Sequence, residues 1–439
     1  MRQNRTVIAA EQLTAKSIYN AIVSLGQQGG EIMLPEGRVI FDQPLFLPSN
    51  ISLIGINGRT DFIFRDTDYG IVVQGSNTAP ITNVAIKNLR IFHEGEHKFC
   101  AALLATHTVG LSFENLDIIS PRAVGFLLAD NVLETRFNQC HVSDAGLVGF
   151  MFIRDVRETV LQNCSAEFCQ QSGVFLTDLK LPDHIDPLDF AAQLHHTDQI
   201  IGNFAPFSAN DPSPFRTDII NCVFKNNRKM GITTDGVGYL SVKNTVIAHN
   251  DCEGITLDNG SWGCSIQNCH IYNNGWRGRQ VEMELGIDFV REMGLMADGS
   301  SKAKLPGVSI DNAVYTRIEN NHIECNWGDG IKLVRAGVSS SILNNLIEHN
   351  NRGLNDKFHF FGILLGVAQK QHPLQDDFPS CNNKIMGNDI LGAHFAGIHL
   401  MPGVTGNVVI DNHIRGASFE AIEDHVKSGN LIETAEQPR

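Results

Sequence analysis

The chain has 439 residues, 42% of them hydrophobic, enough to bury a large core. Its formal net charge of -14 argues against a nucleic-acid binder and disfavours long polyanionic substrates unless a cation or a local basic patch mediates. No segment is apolar for long enough to span a membrane, and the opening "MRQNRTVIAAEQLTAK" has no signal-peptide-like apolar run, so the expected location is cytoplasmic, or outside by a route that leaves no N-terminal signal.

In chain order, Thr14 is placed to N-cap a short helix with Ile18, Ile22 and Leu25 on one face, ended by Gly26. Residues 1–50 then read as a cap and entry strands. From there one phrase recurs: apolar, any residue, Asn or similar, small or apolar, any residue, apolar. It appears as "IKNLRI", "FENLDI", "IINCVF", "IQNCHI", "IENNHI" and "ILNNLI", among others, and most spacings lie near 24 residues. A second phrase follows each one: Gly, apolar, any residue, apolar. Each unit therefore carries at least two short strands parted by Asn/Gly/Asp turns. It is too short for a β-α-β crossover, which takes about 30 residues. Strands that recur without helices and stack on their own copies make a solenoid. The expected fold is all-β: a single-stranded right-handed parallel β-helix over residues 51–430. Longer spacings mark insertions near 179–216, 275–306 and 351–382, and residues 431–439 form a tail. Either of the first two insertions can also hide an irregular rung. The recurrent Asn suggests amides bonded from rung to rung, or simply turn residues.

Ten cysteines occur without any C-x-x-C. Cys140, Cys164, Cys222 and Cys269 share one repeat position, which predicts small reduced core residues rather than ligands or disulfides.

The entry segment "GGEIMLPEGRVIFDQPLFLPSNISLIG" and the cadence "N..I..N...GI.L" resemble the pectin-lyase-like right-handed β-helix superfamily, which includes polygalacturonases and alginate C5-epimerases. The resemblance covers nearly the whole chain. It implies a carbohydrate bound along an outer face.

After each repeat glycine, positions one and three should face inward. They are apolar throughout, Thr234 excepted. Positions two and four should face out. Position two runs Leu127, Met151, Phe175, Thr233, Thr256, Ser309, Lys332, Leu364, His399; position four runs Ala129, Ile153, Thr177, Asp235, Asp258, Asp311, Val334, Gly366, Met401. The face is apolar at both ends and polar between. A solvated face would be polar throughout, so the apolar ends should be covered by loops, a partner or a substrate. Asp235, Asp258 and Asp311 would then stand on neighbouring rungs about 4.8 Å apart. Two ionised carboxylates about 5 Å apart repel by roughly 3 kcal/mol at an effective dielectric near 20. A sheltered row needs a cation, or one member must keep its proton. The structural alternative is three exposed turn-entry aspartates capping local amides.

Lys332 sits at the edge of the row, with Arg335 beyond it. The candidate catalytic set is Asp235, Asp258, Asp311 and Lys332. The candidate sugar contacts are Thr233, Thr256, Ser309, Arg335, His399 and Trp262, with Trp276 and Trp327 as further stacking candidates. A helix over 281–296 would make a lid. His184, His195 and His196 match no standard metal spacing.

Two chemistries fit the row. Glycosidic hydrolysis needs a proton donor and a carboxylate. The resemblance implies the same for polygalacturonase-like hydrolases, which place three aspartates beside a histidine and a lysine, although their Gly-His-Gly and Arg-Ile-Lys phrases are absent. The second is proton abstraction beside a uronate carboxylate, by a lyase or C5-epimerase. No cofactor is required by the first; in the second, Asp235, Asp258 and Asp311 can hold Ca2+. Two further readings are a non-catalytic carbohydrate-binding or homotrimeric module and an intracellular enzyme of a small substrate. The expected partner is a carbohydrate, with no nucleic acid and no membrane.

Overall fold

Asparagines at the repeat corners set the path of the chain. Asn88, Asn115, Asn163, Asn221, Asn244, Asn268, Asn320 and Asn344 all take left-handed backbone conformations, with φ between 50 and 58°. Asn tolerates that conformation because its short amide bonds locally. Each one marks a corner: Asn88 and Asn115 bend a long strand, and the others follow the end of a short one. The computed structural model describes residues 4–95, 101–178, 215–277, 279–280, 302–334, 337–352, 359–366, 379–392, 394–425 and 429–434.

The chain divides into two compact units, Met1–Val223 and Phe224–Arg439. In the first, helix Ala15–Leu25 is N-capped by Thr14, whose hydroxyl accepts the Ser17 N–H at 3.2 Å while Ser17 reaches back to the Thr14 N–H. Its Ile18, Ile22 and Leu25 are buried, and Gly26 ends it with φ 51°. Strands Gly30–Met33, Ile51–Ile54 and Ile81–Glu94 then pair in parallel. Strands Ile81–Glu94, Ala101–Ile119 and Val124–Asn138 are long because each runs through its corners without a break. Phe113, Phe126, Phe137, Phe150 and Phe152 pack ring on ring inside, with Phe126 and Phe150 stacked at 5.0 Å. The apolar stretch of the outer face is covered, as expected: Leu127, Met151, Phe175 and Ile153 are buried with Ala123, Val124, Leu147 and Val148.

The second unit has three strands per rung where two were expected at least. One rung is Ile255–Asp258, Ser265–Gln267 and His270–Tyr272; a later one is Ile331–Val334, Ser341–Leu343 and Leu346–Glu348. All pair in parallel with their copies. Ile232, Ile255, Leu257, Val308, Ile310, Ile331 and Leu333 are fully buried, so the inward positions are those read from the sequence. Thr234 is buried there too, its hydroxyl 3.0 Å from that of Ser261.

Amides do stack from rung to rung, but mostly one position later than the repeat suggested. Asn321, Asn345, Asn388 and Asn412 form one buried column, each Nδ2 donating to the next Oδ1 at 2.8–2.9 Å. Asn227, Asn250, Asn274, Asn326 and Asn350 form a second. Every carboxamide there is satisfied from both sides, which is what lets a polar column occupy a core. In the first unit Cys140, Cys164 and Cys222, buried and outside any disulfide, stack in a column of their own, and in the second the Cys269 N–H donates to the Asn321 Oδ1 at 2.9 Å, with buried Thr245 one rung before it. Among the described residues no helix is long and apolar enough to cross a membrane.

Candidate functional site

The outer face of the second unit is one run of parallel strands: Ile232–Asp235, Ile255–Asp258, Val308–Asp311, Ile331–Val334, Ile363–Leu365, Ala396–Leu400 and Glu420–Asp424. Asp235 pairs in register with Asp258, and Asp258 with Asp311. Thr233, Thr256, Ser309, Lys332, Leu364 and His399 form the parallel column two residues earlier. The three carboxylates therefore do share one face on successive rungs. Each ends its strand, and the next residue, Gly236, Asn259 or Asn312, turns left-handed.

Their environments differ. Asp258 is half-buried and its Oδ1 accepts the Asn259 N–H at 2.7 Å, the local turn bond of an ordinary strand-end aspartate. Asp311 is half-buried as well. Asp235 is only 3% exposed, and neither carboxylate oxygen has a hydrogen-bond partner. Burial pushes its carboxyl up to about 6; the neighbouring Asn259 side chain lowers it in part, although the Asn259 amide also lacks a partner in bonding geometry. The rise comes from burial and not from the neighbouring carboxylates. Thr233, Thr256 and Ser309 are 5–8% exposed, and the Thr256 hydroxyl is unpaired. The face is sheltered, and it leaves the Asp235 carboxylate and the Thr256 hydroxyl unsatisfied.

Trp262 stands at the turn after the Asp258 strand, but its ring is packed against Tyr239 at 4.3 Å and against Gly238. Trp327 lies between Lys304 and Arg352, and Trp276 bonds Asp251. His399 is two rungs beyond Lys332, 6% exposed, stacked on Phe361 at 4.2 Å and bonded to Glu423. Burial lowers its pKa, and Glu423 opposes that. Arg335, His184, His195 and His196, the proposed lid over 281–296 and most of the three insertions lie outside the described residues. The second insertion leaves the rungs through an antiparallel pair, Arg279–Gln280 with Lys302–Ala303.

Two buried acids escaped the sequence reading. Glu253 and Asp329, 3% and 5% exposed, immediately precede Gly254 and Gly330, and Asp329 accepts the Phe361 N–H at 2.7 Å. A register counted forward from glycine passes over them. Glu423 was missed for a related reason: its strand starts without the glycine phrase.

A sequence model described as the right-handed beta helix region matches residues 207–292 and 296–434. No curated protein matches the chain in sequence. Among solved structures, the A-module of the Azotobacter vinelandii mannuronan C-5 epimerase AlgE4 is 15% identical with a TM-score of 0.54, over 94% of this chain and 93% of that one. The catalytic domain of a GH87 alpha-1,3-glucanase is 13% identical with a TM-score of 0.61, over 98% and 69%. Tailspike protein 3 of bacteriophage CBA120 is 10% identical with a TM-score of 0.50, over 95% and 58%. At these identities the likeness is one of fold.

Proposed function

The chain belongs to the family of right-handed β-helix regions, and from that premise we propose that it is a carbohydrate-active enzyme that cleaves glycosidic bonds with paired aspartates. The observation that carries this reading is Asp235, a buried carboxyl without a hydrogen-bond partner, in register beside Asp258 and Asp311. Glycosidic cleavage needs one carboxyl that still holds a proton for the leaving oxygen and one ionised carboxylate that attacks or activates water. Asp235 suits the first role, since burial raises its carboxyl to about 6. Asp258, which already accepts a backbone N–H, suits the second. Neighbouring rungs, about 4.8 Å apart, approach the separation of a retaining pair; Asp235 and Asp311, about 9.6 Å apart by the same spacing, approach the inverting limit. Thr233, Thr256 and Ser309 would bind sugar hydroxyls, and Lys332 would close the edge. Two structural neighbours, a mannuronan C-5 epimerase and an alpha-1,3-glucanase, support a carbohydrate substrate.

Lys332, one rung past Ser309, favours a second reading. Its ammonium would neutralise a uronate carboxylate while an aspartate removes the neighbouring proton, in a lyase or C5-epimerase, with Ca2+ on the aspartates as the alternative neutraliser. Incubation with neutral and uronate oligosaccharides separates the two. New saturated reducing ends mean hydrolysis, unsaturated products mean a lyase, and inverted C5 without cleavage means an epimerase. Asp258→Asn should cut turnover by orders of magnitude while the fold persists; chelation should do the same only if Ca2+ takes part. Full activity of both Asp258→Asn and Asp235→Asn on the true substrate would end either reading.

A further inference from the structure

The last two rungs of the same face hold a second constellation that the aspartate chemistry does not use. His399 on strand Ala396–Leu400 pairs in register with Glu423 on strand Glu420–Asp424. His425 is two residues past Glu423, and side chains two apart on an extended chain share a face. The three converge. His399 Nδ1 lies 2.6 Å from one Glu423 oxygen, His425 Nε2 lies 3.0 Å from the other, and all three ligand atoms fall within 4.8 Å of one another.

We propose that His399, Glu423 and His425 form a binding site for a borderline divalent metal ion of the Zn2+ class. The ligand set argues for that class. Two imidazoles and one carboxylate are a common set for Zn2+, whereas Ca2+ and Mg2+ take oxygen ligands. The geometry argues for it too. Bonds of about 2.0–2.2 Å in a tetrahedral shell place ligand atoms roughly 3.4 Å apart, a little beyond the 2.6 and 3.0 Å contacts and inside the 4.8 Å bound on the group, so small side-chain rotations suffice. The rings are partly fixed in advance. Phe361 stacks on His399 at 14° between planes, and the His425 backbone N–H is tied to the Leu400 carbonyl at 3.2 Å. His425 is 42% exposed at its side chain, which leaves an approach for the ion and a fourth position for water.

A second group, His270, His322 and Glu324, also brings three ligand atoms together. All three are half-buried, and each imidazole is already matched to a carboxylate on another rung, His270 to Glu324 at 2.7 Å and His322 to Glu348 at 2.8 Å. It lacks a buried ligand and serves as the internal control.

The ion would pin the final strand of the face to the rung before it, so stability reads its binding without any substrate. Metal-stripped full-length protein should bind one equivalent of Zn2+ by calorimetry, unfold at a higher temperature with Zn2+, and give tetrahedral visible absorption with Co2+. His425→Ala, at a half-exposed position that tolerates truncation, should weaken Zn2+ binding at least about tenfold and abolish the Co2+ spectrum. Glu423→Gln should do likewise. His322→Ala should leave both intact. The proposal is overturned if Zn2+ has no effect on the wild-type protein, if His425→Ala binds like wild type, or if His322→Ala alone removes binding.

Discussion

Asp235 offers a prediction that needs no substrate. Its carboxyl rises from the ordinary 3.8 to about 6 in the folded chain, because burial disfavours the charged form. Below pH 3.8 the group is protonated in both folded and unfolded chains and costs nothing extra. Between pH 4 and pH 6 the folded chain holds the proton more tightly, so stability falls as pH rises through that window. Above it the full cost is present: at about 1.4 kcal/mol per pH unit, about 3 kcal/mol. Asp235→Asn removes the titration. Its buried amide adds a constant cost, the same at every pH. Urea unfolding followed by circular dichroism, run on both proteins from pH 4 to pH 8, isolates the group, since all other titrations cancel in the difference. That difference should move by up to about 3 kcal/mol in favour of the variant between pH 4 and pH 7, then level off. A difference independent of pH would refute the reasoning, and so would one that moves the opposite way. If Asp235 is also the proton donor, the same carboxyl sets a descending limb in the rate near pH 6.

The amide columns make a second prediction. Asn326→Ala leaves the buried Asn274 N–H without its acceptor and removes the Asn326 Nδ2 bonds to the Asn350 Oδ1 and the Ile271 carbonyl; about 2–4 kcal/mol should be lost in chemical denaturation, and a loss under about 1 kcal/mol would mean the columns are incidental. The cysteines make a third. Burial pushes the Cys169 and Cys264 thiols up to about 12 and Cys164 above the usual range, so these thiols should resist iodoacetamide in the native protein and label fully in denaturant, as counted by mass spectrometry. Rapid native labelling, or a disulfide among Cys140, Cys164 and Cys222, would contradict their place in the core.

The repeating features are legible in the amino-acid order alone. Strand period, rung length and the inward apolar pairs follow from a pleat whose side chains alternate, so a register counted from glycine put Asp235, Asp258 and Asp311 on one face. The capped helix at Thr14 and the column of small core residues at Cys140, Cys164 and Cys222 are local patterns too. Whatever depends on neighbours across the rungs emerges only on folding. Asn320 and Asn321 are adjacent and chemically identical, yet one turns a corner and the other carries a buried column, because only the second points inward. The three aspartates read alike in sequence, but only Asp235 is both buried and without a partner; Asp258 spends an oxygen on its own turn. Trp262 looked available for a sugar and is packed on Tyr239. His399, Glu423 and His425 converge only because Glu420–Asp424 adds a last rung that begins without glycine. Burial, pairing and convergence are properties of neighbours in space, and no single strand's pattern contains them.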